Sequence, residues 1–461
     1  MRRFILLAVL CCLVACGKSD EARQACIADP LRAEILARAE ADLDKAPVTI
    51  TSIPAPESAG GPHDFFSEAD YRWPDPKDPD APYIGRDGYS NPDNFNDHRR
   101  ALNGMSITVA NLCSAWLLTG ERKYAEAILP HLRAWFVDPE TMMNPCLDYA
   151  QGSHGRSTGS NYGIIDTIHL VEVAQTLIRL RDAGLLPEDI AEGTKAWFYQ
   201  YIDWLTKDPK GIKEMRCGNN HGVCWILQVG NFARYVGWTE WVEFAKNRFK
   251  YKFLPEMAEY GSFPMEVART KGYGYSLFNL DAMAGVCQTL STPEDDLWTF
   301  VSENGRNILQ ALDFMFPYIR DKAAWPKDPD VMYWEEWPVA HPALIFAWNR
   351  FRSDPKALRS LPAAVPVKEF GKAPSGGCIG GTAPSPEAGR VERPAGLVQV
   401  WYDTWLALDH FPQTEEVIRN LPLRNPVKLF TDAFRDQVRH IRQRCLTPDA
   451  QGRPGVHRRG C

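Results

Sequence analysis

Long stretches of the chain carry apolar residues at the three- and four-residue spacing of an α-helix, and this pattern constrains the fold most. A helix is predicted from Met105 to Leu118, and the turn Thr119-Gly120 connects it to a second apolar stripe in a helical hairpin. The stripes are Tyr124, Ala125, Ile128, Leu129, Leu132, Trp135 and Phe136, then Leu170, Val173, Ala174, Leu177 and Ile178, then Trp197, Phe198, Tyr201, Ile202 and Leu205. Repeated antiparallel hairpins with aromatic-rich loops predict an all-α fold of the α/α toroid type, with a groove on its concave face.

A second feature is a polar run from Cys217 to Gly222, followed about fifty residues later by an arginine and a tyrosine. The C5 proton of a uronic acid becomes removable only when donors neutralise the neighbouring carboxylate. Asn220, His221 and Arg269 can supply amide, imidazolium and guanidinium donors, and Tyr275 can carry a proton. These residue types predict an enzyme that breaks acidic polysaccharides by elimination, with no metal or organic cofactor required.

The choice of base depends on the sugar. A tyrosine, with an ordinary pKa near ~10, can serve if nearby Arg and protonated His stabilise its phenolate. In mannuronate and glucuronate the C5 proton and the C4 oxygen share a ring face, so Tyr275 could take the proton and return it to the leaving oxygen. In guluronate they lie on opposite faces, and His221 would be the more natural base. Tyr273 is a rival phenol two residues earlier.

Each of these residues also has an ordinary structural interpretation. An Asn before the apolar run Val223 to Leu227 is typical of a helix cap. Arg269 and Tyr275 could be a surface guanidinium and a half-buried aromatic. Taken singly, the residues favour these interpretations, and only their combination favours a catalytic site.

The combination lies inside a longer resemblance that covers roughly Ala59 to Trp348. The matching segments are Gly61 to Asn91, Leu118 to Gly152, YGIIDT from Tyr162, the NNHG stretch, and EVARTKGYGYSLFNL from Glu266. The chain resembles the alginate lyase superfamily of polysaccharide lyases, including the branch that cleaves glucuronan. The resemblance implies an α/α toroid, and it assigns the family's catalytic Asn-His pair, Arg and Tyr to Asn220, His221, Arg269 and Tyr275.

The resemblance also implies contacts with the sugar. It assigns Asn144, Tyr149 and Gln151 to the groove, and Arg156 lies just beyond them in a Gly-Ser-rich loop. The gap between the arginine and the tyrosine is one residue shorter than in one alginate-specific branch. Alginate and glucuronan therefore both stay open as substrates.

Aromatic residues outside the helical stripes are candidates for sugar stacking. Tyr71 and Trp73 lie in or beside a Pro-Asp-rich loop that cannot be regular helix, and Trp337 lies in a second aromatic segment near His341, a further pocket candidate. Anchoring of the loops is an equally good interpretation for these aromatics.

Two other function classes compete with a lyase. A glycoside hydrolase on the same toroid would need two carboxylates at a fixed separation, for which Glu335 with Glu336, or Asp64 with Glu266, are candidates. A non-enzymatic, polysaccharide-binding helical-repeat protein is suggested by the stretch from Leu117 to Ala127, which is similar to a tetratricopeptide hairpin. That class predicts a repeat of about 34 residues, and the sequence contains none.

The N-terminus predicts export. A basic start and an apolar run from Phe4 to Leu13 precede Leu13-Val14-Ala15-Cys16, which looks like a bacterial lipoprotein signal with the lipid on Cys16. Gly17 favours the outer membrane by resemblance, so we expect a periplasmic protein anchored there. Cleavage removes two arginines and changes the formal charge from −6 to −8. Such a charge argues against nucleic acid, and binding of an acidic polymer would require a local basic groove.

Nine cysteines follow Cys16, so at least one is unpaired or bonded to another molecule. Cys217 and Cys224 flank the Asn-His pair, and a bridge between them would stiffen the catalytic turn. The alternative is a Cys-His metal site that uses His221. No second pair at ligand spacing completes four ligands, so we expect no metal.

Composition divides the chain into six parts. They are a lipoprotein signal peptide (1–15), a tether with an N-terminal helix (16–58), the toroid (59–352), a Pro/Gly-rich insertion or loop (353–396), the final toroid helices (397–446) and a disordered tail (447–461).

Overall fold

The computed structural model describes residues 32–335, 341–364, 393 and 396–407, and helices dominate this part of the chain. The α-helices are α1 (residues 32–42), α2 (Asp97–Thr119), α3 (Arg122–Phe136), α4 (Leu170–Asp182), α5 (Glu188–Lys207), α6 (Pro209–Arg216), α7 (Asn220–Val236), α8 (Thr239–Arg248), α9 (Pro264–Val267), α10 (Gly272–Leu290), α11 (Ile308–Arg320), α12 (Pro342–Phe351), α13 (Pro355–Ser360) and α14 (Leu397–Ala407). Shorter turns are the 3₁₀ segments Ile50–Ser52, Asn161–Thr167 and Lys322–Ala324 and the π-helical turn Phe249–Phe253.

The long helices form two layers. In the inner layer α2 packs on α4, α4 on α7, α7 on α10 and α10 on α12. In the outer layer α3 packs on α2 and α5, α8 on α7, and α11 on α10. Alternation of the chain between inner and outer helices is the architecture of an α/α toroid, and the predicted fold class is confirmed.

The predicted hairpin is formed by α2 and α3. After α2 the chain turns at Gly120, whose φ of 77° is the left-handed conformation that glycine adopts most readily. Tyr124, Ile128, Leu132 and Trp135 are buried on one face of α3, as their spacing predicts. The stripes at 170–178 and 197–205 likewise form the buried faces of α4 and α5. Helix α2 is long and apolar enough to cross a membrane, but most of it is buried inside the molecule, as in a core helix.

Two small pieces of sheet support the loops. Strand β1 (Phe66–Glu68) pairs in parallel with β4 (Tyr149–Gly152), and β2 (Arg72–Trp73) pairs antiparallel with β3 (Ile84–Gly85). The strands fix the segments that carry Tyr71 and Gln151, so that both segments line the same cleft as the N-terminus of α7.

The bridge considered between Cys217 and Cys224 is not formed, because both thiols are free. Cys224 is buried in the core face of α7. Cys217 lies before that helix, and its thiol donates a hydrogen bond to the carbonyl oxygen of Lys213 at 3.6 Å. The two side chains therefore occupy different surroundings.

Some predictions lie outside the described residues. They concern the lipoprotein signal with Cys16, Glu336 and Trp337, most of the Pro/Gly-rich segment, and the chain after residue 407. These predictions and the domain boundaries stay predictions.

Candidate active site

A cleft of about 920 Å³ lies between the loop layer and the inner helices. Among its described lining residues, basic side chains outnumber acidic ones: Arg72, Arg86, Arg99, Arg156, Lys210, Lys213 and Arg269 against Asp70, Asp87 and Asp166. A chain with a formal charge of −6 thus has a locally basic cleft, which favours an anionic ligand.

Asn220, the first residue of α7, is held by a buried carboxyl group. Glu266 of α9 is 1% exposed and accepts hydrogen bonds from the Asn220 backbone N–H at 2.6 Å and from its Nδ2 at 2.7 Å. Burial raises the pKa of Glu266, and the opposing effect of these hydrogen bonds does not cancel the rise. The Asn220 side chain is therefore not a helix cap, and one of its two amide N–H donors remains after the contact with Glu266.

His221 is held in a similar way by a second glutamate. Its Nδ1 lies 2.5 Å from Oε1 of Glu214, which is in α6 and is fully buried. The other carboxyl oxygen of Glu214 accepts a hydrogen bond from Asn161 at 2.7 Å. Burial by itself would lower the pKa of His221, but the charge of Glu214 and its hydrogen bond outweigh burial and raise the pKa.

The glycine after His221 permits this arrangement. A Cβ atom at Gly222 would lie 2.2 Å from the carbonyl oxygen of Cys217 and 2.9 Å from the ring of Phe253. Only glycine lets the first turn of α7 approach the preceding chain so closely.

Tyr275, in the first turn of α10, sits in a cluster of phenols and charges. Its Oη lies 2.5 Å from Oη of Tyr71 and accepts a hydrogen bond from Arg269 at 3.3 Å. Arg269 also binds Asp87, with an Nε to Oδ2 distance of 3.1 Å. Burial raises the pKa of Asp87, but the hydrogen bond and charge of Arg269, together with the hydrogen bonds from Thr270, outweigh burial and leave the pKa lowered.

Arg269 acts on the pKa of Tyr275 in the expected direction, towards the phenolate, but burial opposes it. Burial raises the pKa of Tyr275 strongly, and the opposing effect of Arg269 is smaller. The pKa of Tyr71 is also raised well above its ordinary value, again mainly by burial. The cleft therefore holds two neutral phenols near neutral pH.

Gln151 lines the cleft in an unusual backbone conformation. Its φ of 49° is rare for a residue other than glycine. The Gln151 N–H donates to Ser67 Oγ at 2.9 Å, and its Nε2 donates to Asp166 at 3.0 Å. Asp166 also contacts Arg99, so buried polar contacts hold Gln151 in place.

Two other predicted substrate contacts are also at the cleft. Tyr71 and Arg156 both line it, and Arg156 donates a hydrogen bond to the carbonyl oxygen of Tyr83. Their roles in substrate binding stay predictions.

Five predicted residues are placed elsewhere or lie outside the described residues. Trp73 donates to the carbonyl oxygen of Tyr89 at 2.9 Å and Asn144 donates to Asp64 at 2.8 Å, while the ring of Tyr149 packs against Gly60. None of the three is among the described lining residues. His341 is 1% exposed at the start of α12, beside Asp281, which places it in the core rather than at the cleft. Trp337 is outside the described residues.

The rival phenol and the described carboxylates considered for hydrolysis are engaged in other contacts. Tyr273 is buried, and its hydroxyl donates to the carbonyl oxygen of Tyr318 at 3.3 Å. Asp64 accepts hydrogen bonds from Gly61 and Asn144, and Glu266 is bound to Asn220. Neither carboxylate, nor Glu335, is among the described lining residues.

Sequence reasoning missed several residues of the cleft. Tyr162 is 49% exposed, and its ring centroid lies 5.0 Å from that of His221. The ammonium group of Lys213 lies 5.9 Å from the same Tyr162 ring. Two sequence signals were present, because Tyr162 begins the YGIIDT motif and Glu214 precedes His221 by seven residues. Neither signal distinguishes a residue of the cleft from a residue of the core.

Within the described ranges, no three His, Cys, Asp or Glu side chains gather as a metal site would require. The residues described above instead offer amide, imidazole, guanidinium and phenol groups.

A family model and a solved structure relate the chain to known proteins. The alginate lyase family model matches residues 49–325. The solved structure of an alginate lyase from Bacteroides ovatus is 30% identical over 74% of this chain and 91% of that chain, with a TM-score of 0.64. Alginate lyase A1-III from Sphingomonas species A1 is 16% identical over 69% of this chain and 87% of its own, with a TM-score of 0.45. A search of curated proteins finds no match.

Proposed function

The chain belongs to the alginate lyase family and is a polysaccharide lyase, and from this premise we propose that it cleaves (1→4)-linked uronans by β-elimination. One observation carries the proposal: Asn220, His221, Arg269 and Tyr275 all line a single basic cleft. Their functional groups are those that the reaction requires.

In the proposed reaction the substrate carboxylate binds to Asn220, His221 and Arg269. Neutralisation of the carboxylate acidifies C5–H, and a base removes that proton. The electron pair forms the C4–C5 double bond while the C4–O bond breaks, and the departing oxygen receives a proton. Each step uses only side chains that line the cleft.

Tyr275 is the proposed proton carrier. As a neutral phenol it can donate a proton to the departing oxygen directly. To act as base it must first lose that proton, and hydrogen bonds from Tyr71 and Arg269 would then stabilise the phenolate. Entry of a substrate whose carboxylate approaches Arg269 would have to compete with Asp87 for that guanidinium.

The proposed substrates are alginate, rich in mannuronate, and glucuronan. The relationship to an alginate lyase from Bacteroides ovatus supports alginate. Mannuronate and glucuronate differ only at C2, away from the reacting atoms, so the same four residues suit both. Arg72, Arg156, Lys210 and Lys213 would bind the carboxylates of neighbouring sugar units.

We also propose, from the sequence alone, that the protein is anchored by lipid on Cys16 to the outer membrane and faces the periplasm. The proposal is supported by the order of residues before the cysteine, which are first basic, then apolar and finally small. A Cys16→Ala variant should lose metabolic labelling with a radioactive fatty acid and leave the membrane fraction, whereas a Cys113→Ala variant should keep both.

The activity is tested by ultraviolet absorbance during incubation with polymannuronate, polyguluronate and glucuronan, each with a chelator present. A rise in absorbance from the conjugated C4–C5 double bond is expected, and the fastest polymer identifies the substrate. New reducing ends without any rise would mean hydrolysis and would reject the elimination mechanism.

A further inference from the structure

We propose that Glu214 is a positioning residue that fixes His221 as a charged hydrogen-bond donor, with Nδ1 bound to Glu214 and Nε2 left for the substrate carboxylate. The inference deepens the proposed function and rests on it for the identity of the ligand. Its structural part, the state of His221, does not depend on catalysis.

The geometry gives His221 a single orientation. Glu214 Oε1 lies 2.5 Å from Nδ1, and a short contact is characteristic of hydrogen bonds between charged groups. Asn161 donates to Glu214 Oε2 at 2.7 Å, so the carboxyl group is held at both oxygens. Nε2 of His221 has no hydrogen bond to another described residue, and the ring lines the cleft.

Burial makes the pairing energetically important. The side chain of Glu214 has 0% exposed surface, and a buried carboxylate is costly unless a cation or several donors compensate it. His221 is the cationic partner that Glu214 contacts among the described residues, while 17% of the histidine side chain remains exposed. Glu214 therefore favours the imidazolium form.

The other charged groups around His221 do not reverse this effect. Glu266 on α9 adds a weaker attraction, and Arg269, which follows α9, opposes the charge. Lys213 of α6 and His221 both lie near the Tyr162 ring, with the ammonium group 5.9 Å from its centroid. The net result is a raised pKa, so His221 stays protonated to higher pH than an ordinary histidine.

The charged state of His221 limits which sugars it can help to cleave. A protonated imidazole can neutralise a carboxylate but cannot accept the C5 proton. Guluronate, for which His221 would be the natural base, should therefore be a poorer substrate than mannuronate or glucuronate. The Glu214 contact thus favours sugars in which C5–H and O4 share a face.

The direct test is a nitrogen-15 NMR titration of full-length protein labelled at its histidine rings. The His221 signals are assigned by their loss in His221→Gln. We expect His221 to titrate above the ordinary histidine range, with Nδ1 protonated, and to titrate at clearly lower pH in Glu214→Gln. Glu243→Gln, a surface substitution on α8, is the matched control and should leave the titration unchanged.

Activity supplies a second readout. In Glu214→Gln the new amide can stabilise neutral imidazole. We therefore expect kcat/KM to fall about 10²- to 10⁴-fold, which is the loss of rate caused when a catalytic histidine is held in the wrong tautomer. Glu214→Asp, which keeps the charge, should retain more activity than Glu214→Gln. A purely structural role would lower the melting temperature without moving the His221 titration.

The experiments distinguish failure of the Glu214 inference from failure of the proposed function. The same His221 titration in wild type and Glu214→Gln would overturn the inference. If Glu214→Gln does not fold, wild type still decides, because an ordinary or lowered pKa, or a proton only on Nε2, would also overturn it. A high titration in a protein without lyase activity would support the Glu214 contact and reject the proposed function.

Discussion

At the scale of single residues, the cleft separates two kinds of proton chemistry. His221 is paired with a buried carboxylate that favours its charged form, whereas Tyr275 is buried beside another phenol and stays neutral. The two environments therefore favour different roles, with His221 neutralising the substrate carboxylate and Tyr275 carrying the proton. The division leaves Tyr275 as the group that moves the proton.

The first prediction concerns this phenol. Tyr275→Phe removes the hydroxyl but keeps the ring, so turnover should fall by about four powers of ten or more because both proton steps lose their carrier. Tyr273→Phe is the matched control, since its hydroxyl binds Tyr318 in the core, and it should keep most activity. Initial rates of absorbance increase measure both variants. Near-normal turnover in Tyr275→Phe would reject its role.

A second prediction concerns the neutralising donors. His221→Ala and Arg269→Ala should each lower kcat/KM by about 10²- to 10⁴-fold, because the developing charge on the substrate carboxylate loses a donor. Arg306→Ala, which removes an arginine beside Glu259 and outside the described cleft lining, should have little effect on kcat/KM. Equal losses in all three variants would indicate general damage rather than catalysis.

At the scale of elements, the start of α7 brings the site together. Asn220 and His221 occupy its first turn, and glutamates from α6 and α9 hold them from two sides. Helices α3, α4 and α5 could be predicted from apolar spacing, because burial against neighbouring helices imposes that pattern. The contact between Tyr71 and Tyr275 spans 204 residues and leaves no local pattern, so it could not be predicted.

The close approach at Gly222 gives a prediction about this element. Gly222→Ala should destabilise the fold by about 1–3 kcal/mol and lower activity, because the new methyl group meets the Cys217 carbonyl and the α7 start must shift. Gly104→Ala in α2 has no atom within 4 Å of the new Cβ, and it should be neutral or stabilise by about 0.5–1 kcal/mol. Chemical denaturation measures both. Equal stability of the two variants would contradict the steric argument.

At the scale of the whole molecule, charge is distributed unevenly. The chain carries a formal charge of −6, yet basic residues dominate the described lining of the cleft. Distant negative charge repels a polyanion, while the cleft attracts it over short range. Binding should therefore depend strongly on ionic strength, because salt screens both effects beyond a Debye length of about 8–10 Å.

This distribution can be tested by binding of an oligouronate to the Tyr275→Phe variant, which removes turnover from the measurement. Between about 50 and 200 mM salt, Kd should rise roughly tenfold. The reason is that salt screens the attraction between several carboxylates of the ligand and the basic residues of the cleft. Adding Lys213→Met should weaken binding at low salt and flatten the salt dependence. Adding Lys195→Met instead, an exposed α5 residue outside the described cleft lining, should change neither. If Lys213→Met does not change the salt dependence, the polymer does not bind next to Lys213 and α6.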